Sequence, residues 1–295
     1  MSAFRPEHTG PAELFYNETE ASKYHSSSRI VQIQAELANR CVELLNLPAG
    51  RAGYVLDIGC GSGLSGQCIE EAGHHWVGCD ISPSMVEIAA PRARDAGADA
   101  RGDVMLHDMG QGLPFRPGTF DGAISVSAVQ WLSYSNASSQ TPRKRLHAFF
   151  STLYACLKRG GRAALQLYPE SPEQMELISS AAMRVGFSGG LVVDYPNSAK
   201  AKKYYLCLFA GQGEQPQTVP QALGVSEGVQ FSHGTVQVAG RGKDKGRRRG
   251  GGKRDRAAPK KSRGWILKKK ERQRAQGKDV RRDTKYTGRR RPDRF

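Results

Sequence analysis

The stretch Leu56-Asp57-Ile58-Gly59-Cys60-Gly61-Ser62-Gly63 constrains this chain more tightly than any other. The apolar run Tyr54-Val55-Leu56 leads into an acid and three alternating glycines, the pattern of a buried strand that ends in a tight turn and opens a helix. Such glycines let the backbone pass close beneath a ligand where a Cβ would clash. Two cofactor classes use a turn of this kind. A dinucleotide would bring its pyrophosphate close to the turn, where the Asp57 carboxylate repels it. S-adenosylmethionine presents an ammonium and a sulfonium, which a carboxylate favours. Gly61-x-Gly63-x-x-Gly66 also satisfies the dinucleotide spacing, so it is the acid that points to S-adenosylmethionine.

Around this turn, strand and helix patterns alternate. A helical period covers residues 28–46, with Pro48 and Gly50 as the stop. Strands follow at residues 54–58, 76–79, 104–106, 120–126 and 163–167, with two later ones at 191–193 and 204–209. The helices between them fall after Ser62 to about Ala72, from Ser82 (N-cap) and Pro83 (first turn), at residues 146–157 and at 173–185. Alternation of this kind predicts an α/β fold: a seven-stranded, mostly parallel sheet with helices on both faces, of the Rossmann-like class I methyltransferase type. Residues 1–27 read as an irregular arm. The expected organisation is an N-terminal arm and helix (1–50), a cofactor-binding domain (51–210), a flexible linker (211–262) and a basic tail (263–295).

Acids recur at the strand ends. Asp80 follows the second strand, 23 positions after Asp57, where a carboxylate accepts from both ribose hydroxyls. Ile81 is placed to pack on the adenine face. Asp108 follows the third strand and suits the adenine amino group, with Met109 supplying neighbouring main chain. With Gly59, Cys60, Gly61 and Gly63 these form the expected cofactor set. The fourth strand runs into Ser127-Ala128-Val129-Gln130-Trp131, without the proline-rich tetrapeptide that grips an exocyclic amine. Trp131 suits base stacking and equally a core position. His107 and His147 are general-base candidates on residue type alone. No metal-ligand cluster stands out. The six cysteines show no Cys-x-x-Cys pair and read as reduced, buried thiols.

Charge is unevenly distributed. The chain carries +16 overall, but residues 241–295 carry +19 and residues 1–240 only −3. A near-neutral domain with a strongly basic extension points to a polyanionic partner, most often nucleic acid. Basic clusters in residues 268–274 and at Arg289-Arg290-Arg291 resemble a nuclear import signal. No apolar run approaches the ~18 residues of a membrane span, and no apolar segment of a leader follows Met1.

Beyond the cofactor turn, several stretches are more specific. They include residues 13–21, Gly118-Thr119-Phe120-Asp121-Gly122, residues 127–132, Gln166-Leu167-Tyr168-Pro169-Glu170, residues 189–203 and residues 286–292. In these the chain resembles the eukaryotic guanine-N7 methyltransferases of 18S ribosomal RNA, the bud-site-selection and Williams–Beuren-region family. The resemblance runs through residues 4–210, departs in the glycine- and arginine-rich residues 211–262 and at Ser133-Tyr134-Ser135-Asn136, and resumes at 263–295. It implies an RNA methyltransferase of small-subunit assembly, acting in nucleoplasm and nucleolus with a small zinc-binding activator subunit. Val104, Met105 and Leu106 would form the sheet edge for that subunit, since an edge strand leaves unpaired backbone groups. Guanine N7 carries a lone pair and no proton, so no general base is expected. Tyr16, Tyr24, Trp131 and Tyr168 are the aromatics expected around the base. Two other readings stay open: a methyltransferase of a small-molecule or protein acceptor, and a non-catalytic assembly factor that binds cofactor and RNA.

Overall fold

The structure is a computed structural model that describes residues 5–94, 100–135, 141–198, 200–212, 218–224, 266–267, 269–270, 273–274 and 280–283. The chain forms two compact units, Met1–Ala239 and Gly240–Phe295.

In the first unit the strands are β1 (Tyr54–Ile58), β2 (His75–Asp80), β3 (Gly102–Leu106), β4 (Phe120–Val126), β5 (Leu157–Leu167), β6 (Ser188–Asp194) and β7 (Lys203–Phe209). They build one seven-stranded sheet in the order β3-β2-β1-β4-β5-β7-β6. Only β7 runs antiparallel to its neighbours. The strand order reverses between β1 and β4, and in such sheets a crevice opens there beyond the carboxyl ends. Strand alternation divides the core. Leu56 and Ile58 join one layer with Leu146, Phe149, Phe150 and Leu153 of α6 (Pro142–Cys156) and with Ile178 and Ala182 of α7 (Pro172–Arg184). Val55 points the other way, into a layer with Leu37, Cys41, Leu44 and Leu45 of α3 (Ser28–Leu45), Ile69 of α4 (Leu64–Glu71) and Ala93 of α5 (Pro83–Arg94). All six cysteines are buried free thiols.

One expectation changes. The arm is not irregular: α1 (Ala12–Phe15) and α2 (Glu18–Ser26) lie within it, and Asn17 caps α2 by accepting from the Thr19 and Glu20 amides, each at 3.1 Å. Only Ala21 of α2 is buried, so the helix has almost no apolar period for sequence reasoning to detect. α3 keeps its expected span and is capped by Asn46, left-handed at φ 48°, just before Pro48.

The start of the expected linker also has a position. Leu223 donates its amide to Asp194 Oδ1 (2.8 Å) and accepts from the Tyr195 amide (2.8 Å), and Gln221 accepts from Arg40 (2.9 Å). Arg40 and Asp194 form a buried ion pair at 2.9 Å, so residues 218–224 are laid against β6. In the second unit, the described positions 266–267, 269–270 and 273–274 are helical, and Asp283 takes ion pairs from Lys270 and Arg274. Lys268 and Arg289-Arg290-Arg291 of the import-like clusters lie outside the described residues. No described helix is long and apolar enough to cross a membrane.

Candidate active site

A pocket opens at the carboxyl ends of β1 to β4. Its floor is the turn after β1, where Gly59 has φ +70° and an added Cβ would stand 2.3 Å from Ala128 Cβ. Gly66 serves a different need: its Cβ would enter the Trp76 indole at 2.2 Å, so this glycine lets α4 close onto β2.

Asp80, at the end of β2, lines the pocket and is fixed by two amides, Gly61 N–H to Oδ2 and Ser82 N–H to Oδ1, both at 2.9 Å. Burial raises its pKa, against the lowering effect of these hydrogen bonds. Ile81, Asp108 and Met109 line the same wall. Asp108 Oδ1 accepts from the Gly110 amide at 2.8 Å and from Arg145 at 2.7 Å. Nothing local in the sequence marked Arg145, which reaches the pocket from the first turn of α6.

Asp57 does not line the pocket. It lies fully buried beneath the turn, where Ser65 Oγ–H donates to Oδ2 at 2.5 Å and Oδ1 has no hydrogen-bond partner. Burial, with a smaller contribution from the Asp80 charge, pushes its pKa up to about 7 against the Ser65 hydrogen bond. Ser62 Oγ, one turn on, is also buried without a partner. Cys60 is buried with its thiol pKa raised by burial, and Gly63 leads into α4 at φ +82°.

The arm closes the other side. Pro11, Ala12, Tyr16 and Tyr24 line the pocket with Trp131. Ring centroids are 6.0 Å apart for Tyr16 and Trp131 and 6.1 Å for Tyr16 and Tyr24, and Phe15 joins Trp131 at 6.3 Å. Burial holds both tyrosine phenols above their ordinary pKa, so they stay neutral. The Tyr16 carbonyl accepts from Ser82 Oγ at 2.7 Å, which ties the arm to the start of α5. Tyr168 is not part of this lining: its hydroxyl accepts from Lys203 Nζ at 2.9 Å, and its carbonyl accepts from Arg5.

Ser127, between β4 and Trp131, has φ +57°. A left-handed serine is strained, and its surroundings hold it there. Its amide donates to the Gln166 carbonyl at 3.1 Å and its hydroxyl to Gln166 Oε1 at 2.6 Å. His107 lines the pocket, but its Nε2–H is spent on the Gly112 carbonyl. His147 is exposed on α6, outside the pocket. No cluster of metal-ligating side chains occurs among the described residues. At the sheet edge, β3 pairs only with β2 among the described residues; Val104 and Met105 are half-buried and Leu106 is 55% exposed.

This sheet order, with a glycine turn and strand-end acids in one pocket, defines a Rossmann-like methyltransferase. Residues 55–161 match the family model described as methyltransferase domain. The Synechocystis magnesium protoporphyrin IX methyltransferase, solved with bound S-adenosylmethionine, has the same fold at TM-score 0.52 and 19% identity, covering 71% of this chain and 99% of that one. Residues 208–293 match the family model described as methyltransferase involved in Williams-Beuren syndrome, so that match crosses the segment where the motif resemblance lapsed. The mouse 18S rRNA (guanine-N(7))-methyltransferase is 54% identical over 99% of this chain and 98% of its own length, and the bovine protein of the same name 52% over the same shares. The chain belongs to the 18S rRNA (guanine-N7)-methyltransferase family. Its cofactor is S-adenosylmethionine. The groups present fit it: Gly61 leaves the turn open to the pocket, where an added Cβ would meet no protein atom, and the Asp80 and Asp108 carboxylates on the wall keep lone pairs for a polar ligand.

Proposed function

We propose that this chain transfers the methyl group of S-adenosylmethionine to N7 of a guanosine in 18S rRNA during assembly of the small ribosomal subunit. The observation that carries this reading is one pocket uniting the glycine turn, Asp80 and Asp108 with the aromatic group Tyr16, Tyr24 and Trp131. When bound, the cofactor supplies an electrophilic methyl group on a sulfonium.

The chain's residues bind and align. The turn from Gly59 to Gly63, with the Cys60 main chain, lets the backbone approach. The Asp80 carboxylate is already oriented by the Gly61 and Ser82 amides and has lone pairs left for two ribose hydroxyls. Asp108, braced by Arg145, accepts from the adenine amino group, with Ile81 and Met109 flanking the ring. Asp57 offsets positive charge from below the turn. Tyr16 and Trp131 stack on the guanine at roughly 1–3 kcal/mol per base, and Tyr24 supports Tyr16. Guanine N7 has no proton to remove, so catalysis proceeds by alignment, which supplies up to about 7–11 kcal/mol.

The β3 edge of Val104, Met105 and Leu106 receives the small zinc-binding activator subunit as an added strand. The exposed Leu106, and the position of β3 at the edge of the sheet formed by the described residues, support this. The basic extension adds RNA affinity and directs nuclear import. Reverse-transcription mapping of 7-methylguanosine on small-subunit RNA incubated with the protein tests the reading: one new modified guanosine is expected, and none would refute it.

A further inference from the structure

Ser127 holds a left-handed φ of +57°, a conformation that glycine adopts freely and a side chain adopts only at a cost. Glycine would make this turn without the strain, so the serine side chain has a role of its own there. Its hydroxyl donates to Gln166 Oε1 at 2.6 Å, and the Ser127 amide donates to the Gln166 carbonyl at 3.1 Å. Gln166 is fully buried on β5, in register with Val126, the last residue of β4. Its Nε2 donates to the Leu167 carbonyl at 3.1 Å, which fixes the amide with Oε1 toward Ser127. The Ser127 carbonyl in turn accepts from Gln130 Nε2 at 2.8 Å. One serine is therefore held at its amide, its carbonyl and its hydroxyl.

The residues that follow join the two halves of the pocket. Ala128 sits on the cofactor floor, since a Cβ added to Gly59 would stand 2.3 Å from the Ala128 Cβ. The Ala128 carbonyl accepts from the Trp131 amide at 3.0 Å, in the short helix Val129–Ser133. Ser127, Ala128 and Trp131 all line the pocket. The direction in which the chain leaves β4 at Ser127 thus sets how the Trp131 ring stands over the floor. We propose that Gln166 is a positioning residue for methyl transfer: by holding Ser127 left-handed, it fixes the turn from Ala128 to Trp131 and with it the spacing between acceptor base and methyl donor. The proposal rests on the guanine-N7 reading above, in which alignment carries the chemistry. Gln166 does not line the pocket, so it acts through Ser127 and not on the base itself.

The test uses full-length Ser127→Gly, Gln166→Met and the double variant in steady-state methylation of small-subunit RNA. Ser127→Gly keeps the left-handed turn free of strain but deletes the hydroxyl that locks it, so its Tm should equal or exceed that of the wild type. Its kcat should fall roughly tenfold to hundredfold, the scale of a small misplacement of reacting groups. The KM for RNA and the calorimetric affinity for S-adenosylmethionine should stay close to wild type. Gln166→Met should lose a similar factor in kcat, and the double variant no more than either alone, because both act through one contact. An unchanged kcat in Ser127→Gly overturns the assignment, even if Gln166→Met does not fold. Losses that multiply in the double variant overturn it too, as does a fall in kcat matched by an equal loss of cofactor affinity. Each of these leaves the guanine-N7 reading standing, whereas a wild-type protein that methylates no guanine N7 removes that reading and this inference together.

Discussion

Replacing Asp57 by asparagine should move stability and cofactor affinity in opposite directions. The carboxyl is fully buried, with one oxygen held by Ser65 and the other unpartnered, and its pKa is pushed up from 3.8 to about 7. The folded state therefore binds this proton more tightly than the unfolded state. Stability from this source is fully present below about pH 4 and is lost as pH rises through about 7. At 1.36 kcal/mol per unit the loss is on the order of 4 kcal/mol. Asparagine keeps the acceptor for Ser65 and removes the titration, but sets an unpartnered amide where Oδ1 was, at about 1–3 kcal/mol. Near pH 8 and without cofactor, Asp57→Asn should be more stable than wild type by roughly 1–3 kcal/mol, a rise of a few degrees in Tm. It should also bind S-adenosylmethionine more weakly, as a negative charge beneath the cofactor turn is lost. Thermal unfolding of both proteins between pH 5 and 8, with and without cofactor, is the assay. Equal pH dependence in the two cofactor-free proteins would refute the reasoning.

Asp80→Ala removes the acceptor of two amides and of the ribose hydroxyls, so calorimetry should show at least a tenfold to hundredfold loss of cofactor affinity, with unchanged affinity counting against the assignment. Met105→Pro in β3 removes a ladder donor and disturbs the edge, so co-purification with the activator subunit should fall sharply; wild-type yield would place the partner elsewhere. Deleting residues 241–295, which carry +19, should flatten the salt dependence of RNA binding and abolish nuclear accumulation; the same salt slope and location would remove both roles.

Legibility in the sequence followed the physics of each element. β1 and β4 match their apolar runs residue for residue, because both are buried on two faces and bounded by turns. β5 is longer than expected, beginning at Leu157 rather than Ala163, with Gly160 and Gly161 inside the strand. Asp80 and Asp108 were legible because each ends a strand in a regular α/β alternation. Asp57 was legible as the acid near the end of β1, but its place beneath the floor was not, because that depends on Ser65 turning back from α4. Arg145 gave no local signal: its partner lies 37 positions away in the chain. Tyr168 shows the converse, since an aromatic beside a functional strand end is here held by Lys203 instead.

The central claim is that N7 of guanine is the nucleophile and that alignment replaces a general base. The most direct measurement compares methyl transfer to small-subunit RNA carrying guanosine or 7-deazaguanosine at the modified position. The deaza base keeps its Watson–Crick edge and shape, so binding should persist, but carbon stands where the lone pair should be. The account predicts no transfer to the deaza RNA, with turnover on the guanosine RNA retained in His107→Ala and His147→Ala. Transfer to the deaza RNA at the normal rate would contradict it, as would loss of turnover in either histidine variant while folding and cofactor binding remain intact.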